Sequence, residues 1–203
     1  MRSLRWLGIF SIGFLLLGCG RGVTYPLNLL YQPLKEFPGL QQKIGSTLAV
    51  APFKDERRET LYIGVHTPLE GAPTHFKSDP FPLEKAIGDS LSQVFSRYGI
   101  KTVPIPDWDG KPDSLKDLET DSVLMIDIKK FWSEGKGSLF GTRIKTSIQL
   151  VIHLGVKKEK TAFTRNVGVE KEITVARSTP EKVEEMINQM LNDIFDTYFS
   201  NPY

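Results

Sequence analysis

The residues able to bind a metal ion are few in this sequence of 203 residues. They are three histidines, His66, His75 and His153, and a single cysteine, Cys19. A zinc site needs three or four ligands at compact spacing. His66 and His75 are close enough along the chain to hold an ion weakly, but we favour two solvated histidines in one long loop. We predict no metal site.

Two serines stand in patterns that resemble those of hydrolases. Ser90 belongs to a Gly-Asp-Ser-Leu sequence, which resembles the nucleophile motif of a family of serine esterases. Ser133 begins a Ser-x-x-Lys pattern similar to that of the penicillin-recognising enzymes. Ser90, however, falls inside a predicted helix, where a nucleophile elbow cannot form, and no histidine follows His153. Ser133 precedes a glycine-containing turn and lacks the accompanying motifs. We predict that the protein is not an enzyme.

A cluster of charged residues follows the first predicted strand, and it comprises Asp55, Glu56, Arg57, Arg58 and Glu59. Most such clusters are solvated, since exposed ion pairs contribute only about 0–1 kcal/mol to stability. Loops at strand ends are also common binding surfaces. Asp55, Arg57 and Arg58 are therefore candidates for binding a partner, with fixing of the loop as the other role open to them.

Aromatic side chains outside the predicted helices form a second group of candidates. Trp108 stands among prolines and aspartates in a connecting segment, Trp132 ends a predicted strand, and Phe140 lies in the turn that follows. An aromatic ring in a loop can anchor a partner, or it can pack as a lid over its own core. We count Trp108 and Trp132 as candidate partner-binding residues.

The first residues predict export followed by lipid anchoring. Arg2 and Arg5 precede an apolar run over residues 6–17, which is shorter than the roughly 20 residues of a transmembrane helix. Residues 16–19, Leu-Leu-Gly-Cys, resemble the lipobox of bacterial lipoproteins. The resemblance implies cleavage just before Cys19, with a diacylglycerol on its thiol and an N-acyl chain on its amine. A plain secreted protein is the alternative.

The residues after the lipobox bear on which membrane holds the protein. In proteobacterial lipoproteins an aspartate after the cysteine causes retention at the inner membrane, and here Gly20 and Arg21 follow. The resemblance therefore implies the outer membrane with the domain facing the periplasm, or the cell membrane if the host has only one. Apart from the lipid on Cys19, no cofactor is expected.

Composition limits the remaining chain to one domain. We expect a signal peptide over residues 1–18, a lipidated N-terminus and proline-bearing tether over residues 19–45, and a single domain over residues 46–203, with partial packing of the tether along the domain as an alternative. The chain has 26 basic and 24 acidic residues, and two of the arginines belong to the signal. A nearly neutral mature chain is not typical of a nucleic-acid binder.

Hydrophobic periodicity predicts an α+β fold in the order β-α-β-β-β-β-α. Amphipathic stripes indicate a helix that ends near Gly99 and a final helix with a capping box at Ser178 and Glu181. We expect a two-layer sandwich in which a mainly antiparallel sheet of four or five strands carries both helices on one face. The predicted strands cover residues 47–53, 100–103, 122–132, 142–157 and 163–175, and a long polar loop covers residues 54–79.

The order of these motifs resembles that of a lipoprotein family. A lipobox, a proline-bearing segment over residues 25–33, a strand followed by Asp-x-Arg at residues 55–57, Ile63-Gly64 and a helix ending at Gly99 are similar to the YajG-like outer-membrane lipoproteins. That resemblance implies a periplasm-facing domain without catalytic residues. The element order is also similar to the lipopolysaccharide-assembly lipoprotein LptE and to auxiliary lipoproteins of envelope lipid transporters.

These observations favour a non-catalytic binding or assembly lipoprotein that contacts an envelope protein, peptidoglycan or lipid. The first alternative is an accessory subunit of a lipid or lipopolysaccharide transport machine. The second is an envelope hydrolase, for which Ser90 is the nominal nucleophile.

Overall fold

The computed structural model describes residues 22–202. The predicted signal peptide and the lipidation site at Cys19 lie outside the described residues. None of the helices formed by residues 22–202 combines the length and the apolar character needed to cross a membrane.

The described residues form one sheet of nine strands, three α-helices and a short 3-10 helix at Asp113–Asp117. The helices are α1 (Leu40–Ile44), α2 (Leu83–Arg97) and α3 (Pro180–Ser200). The strands are β1 (Val23–Asn28), β2 (Thr47–Val50), β3 (Lys54–Asp55), β4 (Gly64–Thr67), β5 (Thr74–Asp79), β6 (Lys101–Pro104), β7 (Ser122–Ser138), β8 (Gly141–Val156) and β9 (Thr161–Val175).

Strand β7 organises the sheet because it is 17 residues long and is paired along both edges. On one edge it pairs antiparallel with β8, which in turn pairs antiparallel with β9. On the other edge β2, β3 and β4 follow one another along β7, all parallel to it. Beyond them, β6 extends the sheet next to β2, β5 pairs antiparallel with β4, and β1 pairs parallel with β5.

The α+β class was predicted, but the antiparallel sheet of four or five strands is wrong. The sheet is mixed and has nine strands, because the segment predicted as a tether contains β1 and residues 54–79, predicted as a loop, contain β3, β4 and β5. The last three of these strands have two, four and six residues. Segments this short lack a readable hydrophobic period, and their pairing depends on distant residues of β7.

Both predicted amphipathic helices pack on the same face of the sheet. The α2 stripe that includes Ile87, Leu91 and Phe95 is buried, as is the α3 stripe that includes Ile187 and Leu191. Along most of β8, burial alternates with a period of two, so that one face of the meander meets α3 while the other faces solvent except near Gly155, where Trp108 and Leu115 cover it. The predicted capping box is displaced by one residue, because Thr179 caps α3 by accepting the Lys182 N–H.

The stretch predicted as a tether is largely part of the packed domain. It supplies β1 and α1, and its apolar side chains join the main core. Between these two elements the chain runs extended along α3. Backbone N–H groups of alternate residues donate to side chains one helical turn apart: Asn28 to Glu184, Leu30 to Asn188, Gln32 to Asn192 and Leu34 to Asp196, at 2.7–3.0 Å.

We call the four acceptors Glu184, Asn188, Asn192 and Asp196 the α3 clasp. Two residues of extended chain rise by about 6.6 Å and four residues of helix by about 6.0 Å, so the two spacings match over several turns. Tyr31 adds to the clasp, since its hydroxyl donates to the Asp196 carboxylate at 2.8 Å. Burial, and then this hydrogen bond, raise the pKa of Tyr31.

Candidate functional site

An open cavity of about 460 Å³ lies at the end of the sheet where β1 begins and where β7 turns into β8. Its walls come from β1, β5, the loop after β4, the β7–β8 hairpin and the start of α3. We call this part of the molecule the hairpin end. The cavity mixes apolar surfaces with hydrogen-bonding groups, since it is lined by Tyr25, Leu69, Phe76, His66, Thr142 and Ser178, among others.

Two glycines of β7 allow the loop after β4 to approach the hairpin closely. A Cβ atom on Gly137 would lie 2.6 Å from the backbone nitrogen of Leu69, and one on Gly135 would lie 2.9 Å from the ring of His66. Any larger residue would therefore push this wall of the cavity outward. The glycine-containing segment was predicted as a turn. In the structure it continues β7 to Ser138, and the turn consists of residues 139–140 alone.

Two buried polar atoms of the lining, His66 Nε2 and Ser178 Oγ, lack a hydrogen-bond partner among the described residues. Burial lowers the pKa of His66, which favours the neutral ring. Ser178 is left unpaired because the neighbouring Thr179 caps the helix in its place. Both atoms keep unused hydrogen-bonding capacity, and since neither has a partner they are not joined as nucleophile and base.

The histidines are not brought together as metal ligands. His66 and His75 lie on neighbouring strands, but His66 pairs in register with Thr74 and His75 with Val65, which sets the two side chains on opposite faces of the sheet. The His75 ring stacks on Tyr62 at 4.5 Å. In the part of the chain that the structure describes, no three His, Cys, Asp or Glu side chains are grouped for a metal ion.

The serines of the two hydrolase-like patterns are used as structural hydrogen-bonding groups. Ser90 lies within α2, where its buried hydroxyl accepts the Tyr31 N–H at 2.6 Å. Ser133 lies within β7, where its hydroxyl accepts from the hydroxyl of Thr146 at 2.8 Å. Neither serine lines the cavity.

Of the charged candidates, Asp55 and Arg57 form a buried ion pair, with side chains 4% and 5% exposed. The guanidinium binds the carboxylate through two nitrogens, at 2.8 and 2.6 Å, and donates to the carbonyls of Tyr62 and Phe131 at 3.0 Å. The pair therefore fixes the loop between β3 and β4 against β7. Arg58 is exposed and takes no part in this contact.

The two tryptophan candidates occupy different environments. Trp108 is 4% exposed and covers a small second core on the other face of the sheet, with its indole N–H donating to Ser114 at 2.9 Å. It is a lid over its own core, so its ring is not available to a partner in this structure. Trp132 is half-buried on the solvent face of β7. It pairs in register with Ser147 of β8, which pairs in register with Glu170 of β9.

Of the exposed apolar side chains at the hairpin end, Phe140 was noted among the aromatic candidates, whereas Leu139, Leu69, Val23 and Tyr25 were not. Leu139 and Phe140 form the two-residue turn between β7 and β8, and they are 83% and 94% exposed. Turns of this length are usually built from Gly, Asn or Asp. An apolar pair in such a turn is a signal that could have been read from the sequence, but only once the turn had been placed correctly.

No family model matches this sequence, and no curated protein matches it either. The fold is similar to that of a Xanthomonas campestris protein of family DUF330, with a TM-score of 0.56 and 16% identity over 88% of this chain and 93% of that one. This similarity is one of fold. The resemblance to the YajG-like lipoproteins stays a prediction.

Two further solved structures are more distant. Lipoprotein GNA1162 from Neisseria meningitidis matches with a TM-score of 0.38 and 11% identity, over 72% of this chain and 96% of that one. The LpoB C-terminal domain from Salmonella enterica matches with a TM-score of 0.27 and 11% identity, over 66% and 96%.

Proposed function

We propose that this chain is a lipid-anchored envelope lipoprotein, acylated on Cys19, whose domain is a non-catalytic binding or assembly module facing the periplasm. The lipobox-like residues 16–19 support the anchor, and Gly20 after the cysteine favours the outer membrane. The YajG-like order of motifs fits the same role. The observation that carries the proposal is the position of the cavity at the start of β1.

Chain length links the anchor to the cavity. Val23 begins β1 four residues after Cys19, and four residues of extended chain span at most about 14 Å. Lipid on Cys19 would therefore keep the hairpin end next to the membrane. A ligand or partner bound in the cavity would then be held at the same surface.

The serine hydroxyls argue for binding rather than hydrolysis. The hydroxyl of Ser90 is already used inside the core, while the lining of the cavity supplies unpaired hydrogen-bonding atoms beside aromatic walls. This combination of apolar surface and a few polar groups is typical of binding sites.

The anchor is tested by the substitution Cys19→Ser in the full chain. Without the thiol no diacylglycerol can be attached, so we expect the protein to leave the membrane fraction for the soluble envelope fraction. Mass spectrometry of the native N-terminus provides the direct measurement. An unchanged distribution between fractions would refute the anchor.

The binding site is tested by photo-crosslinking in intact cells. A photoreactive amino acid replaces Leu69 at the rim of the cavity or, as a control, Lys158 in the exposed β8–β9 turn. We expect a discrete adduct from position 69 that position 158 does not give. Equal labelling at both positions, or none at either, would count against the cavity as the binding site.

A second candidate function is an accessory role in lipid or lipopolysaccharide transport. It is favoured by the apolar part of the lining, which includes Tyr25, Leu69 and Phe76. We expect native mass spectrometry of gently extracted protein to detect bound lipid, and the substitution Leu69→Asp to reduce that signal. Extracts that contain neither lipid nor a transport component would remove this candidate.

A further inference from the structure

Several large apolar side chains at the hairpin end are exposed and do not belong to the packed core. Five large apolar side chains are exposed there, and three of them lie on or beside the cavity rim: Leu69, Val23 and Tyr25, at 57%, 52% and 42%. The other two are the turn residues Leu139 and Phe140. Contiguous exposed apolar side chains usually mark an interaction site.

The turn itself does not depend on the apolar pair. The Ser138 hydroxyl donates to the Gly141 carbonyl at 2.8 Å and accepts the Phe140 N–H at 3.4 Å. Gly141 takes up the positive φ of 131° that the tight reversal needs. Backbone geometry and Ser138 therefore close the hairpin, and the side chains of Leu139 and Phe140 are left pointing to solvent.

The other end of β8 carries charged rather than apolar side chains. The β8–β9 turn consists of exposed charged residues, 157–160, at the far end of a 16-residue strand. At about 3.3 Å per residue, this places it roughly 50 Å from Phe140. Among the described residues, five of the eight exposed large apolar side chains thus lie at the end near residue 23, which follows Cys19 in the chain, and the other three are Leu34, Leu61 and Phe81.

We propose that the hairpin end docks on the bilayer surface, with the side chains of Leu139 and Phe140 inserted between the lipids. The inference rests on the anchor at Cys19 and adds a second, non-covalent contact to it. The partner is a lipid surface because the chain between Cys19 and Val23 is too short to hold this end far from the membrane.

The two cations that flank the turn contribute little to this contact. Lys136 and Arg143 flank the turn, and their side chains are 67% and 68% exposed. Each has an acidic neighbour, Glu134 at 3.0 Å and Glu172 at 3.5 Å. We therefore expect docking on neutral as well as anionic bilayers, with the apolar pair as its main source.

The test uses the full chain processed at Cys19 and reconstituted into vesicles of phosphatidylethanolamine and phosphatidylglycerol. The substitution Phe140→Cys provides a thiol for an environment-sensitive nitrobenzoxadiazole label, and Lys158→Cys provides the matched control. We expect label at position 140, but not at 158, to emit at shorter wavelength on reconstitution and to be quenched by spin-labelled lipid. Substitution of Leu139 by Asp should reduce both effects.

The outcomes separate the docking from the anchor. Protein that floats with the vesicles while positions 140 and 158 give the same emission would overturn the docking and leave the anchor intact. Protein that does not float would overturn both. A shift at position 140 that requires added envelope protein, or that appears at high protein concentration without vesicles, would assign this surface to a protein partner or to a second copy of the chain.

Discussion

Arg57 holds the loop between β3 and β4 because its buried guanidinium binds one carboxylate and three backbone carbonyls, those of Thr60, Tyr62 and Phe131. Removing it leaves the carboxylate of Asp55 buried without a counter-charge, which typically destabilises a protein by about 3–5 kcal/mol. We expect Arg57→Ala to lower the free energy of unfolding by about that amount. Urea denaturation would measure this loss, and the slope of the free energy against urea concentration should be the same in both proteins.

The neighbouring Arg58 is the matched control. It has the same charge but an exposed side chain, so Arg58→Ala should change the free energy of unfolding by no more than about 0.5 kcal/mol. Similar effects of the two substitutions would contradict the structural role of Arg57. If Arg58→Ala instead weakens crosslinking to a partner, Arg58 belongs to a binding surface.

His66 gives the domain a dependence on pH. Burial lowers its pKa below the ordinary 6.5, so as the pH falls the unfolded chain takes up this proton before the folded one does. The free energy of unfolding should therefore fall as the pH drops below about 7, until the folded-state pKa is passed. Urea midpoints at pH 7.5 and 5.5 measure this fall.

The substitution His66→Gln should flatten that fall, whereas His153→Gln, which keeps His66, should retain it. A ligand that accepts a hydrogen bond from a protonated His66 would reduce the loss at low pH. The same fall in the wild type and in His66→Gln would show that other groups cause it.

Residue types alone could not show which of the predicted site residues are accessible to a partner. The two tryptophans and the two arginines look equivalent in the sequence, yet Trp108 and Arg57 are buried while Arg58 is exposed and Trp132 only half-buried. Burial depends on which distant elements cover a side chain. The cavity could not be predicted for the same reason, since its walls come from strands and loops that are far apart in the sequence.

At the scale of elements, the α3 clasp attaches the N-terminal segment to the domain. Asn192 is 8% exposed, and its side-chain oxygen accepts the Gln32 N–H at 2.8 Å. The substitution Asn192→Ala leaves that donor unpaired, so we expect a loss of about 1–3 kcal/mol in the free energy of unfolding. Hydrogen exchange at Gln32 should become faster.

The adjacent Asp193 offers a control because it is exposed and lies on the next position of the same helix. Asp193→Ala should leave hydrogen exchange at Gln32 unchanged. Exchange at Gln32 that is already fast in the wild type would mean that the segment does not stay on the helix.

Elements with a long, regular pattern were predictable. Both long helices and the β7–β8–β9 meander follow from periodicity, because the helices bury one face and the strands alternate over most of their length. Strand β1 and the short strands β3 to β5 escaped prediction. Their pairing is set by the partner strand and by close approaches at Gly64 and Gly137, which a local pattern does not contain.

At the scale of the whole molecule, the N-terminal segment belongs to the folding unit. Its side chains in the main core include Leu27, Leu29, Tyr31, Leu40 and Ile44, all at most 3% exposed. Burying a large apolar side chain contributes about 1.5–3 kcal/mol, so the five together contribute about as much as the whole stability of a typical domain. A chain starting at residue 46 should therefore not fold.

A chain starting at residue 22 is the control and should fold, with a cooperative thermal transition and dispersed amide signals in the nuclear magnetic resonance spectrum. If the chain starting at residue 46 gives the same spectrum for its remaining residues, the first part of the chain is an accessory segment.

The parallel pairing of β1 with β5 determines how the domain responds to mechanical force. A pull on the N-terminus acts along β1, whose six register pairs with β5 are then loaded in shear rather than opened one after another. The α3 clasp next to it shares the load through its own hydrogen bonds. Tension between the membrane and a domain held at its far end would thus have to break many bonds at once before the chain could be drawn out.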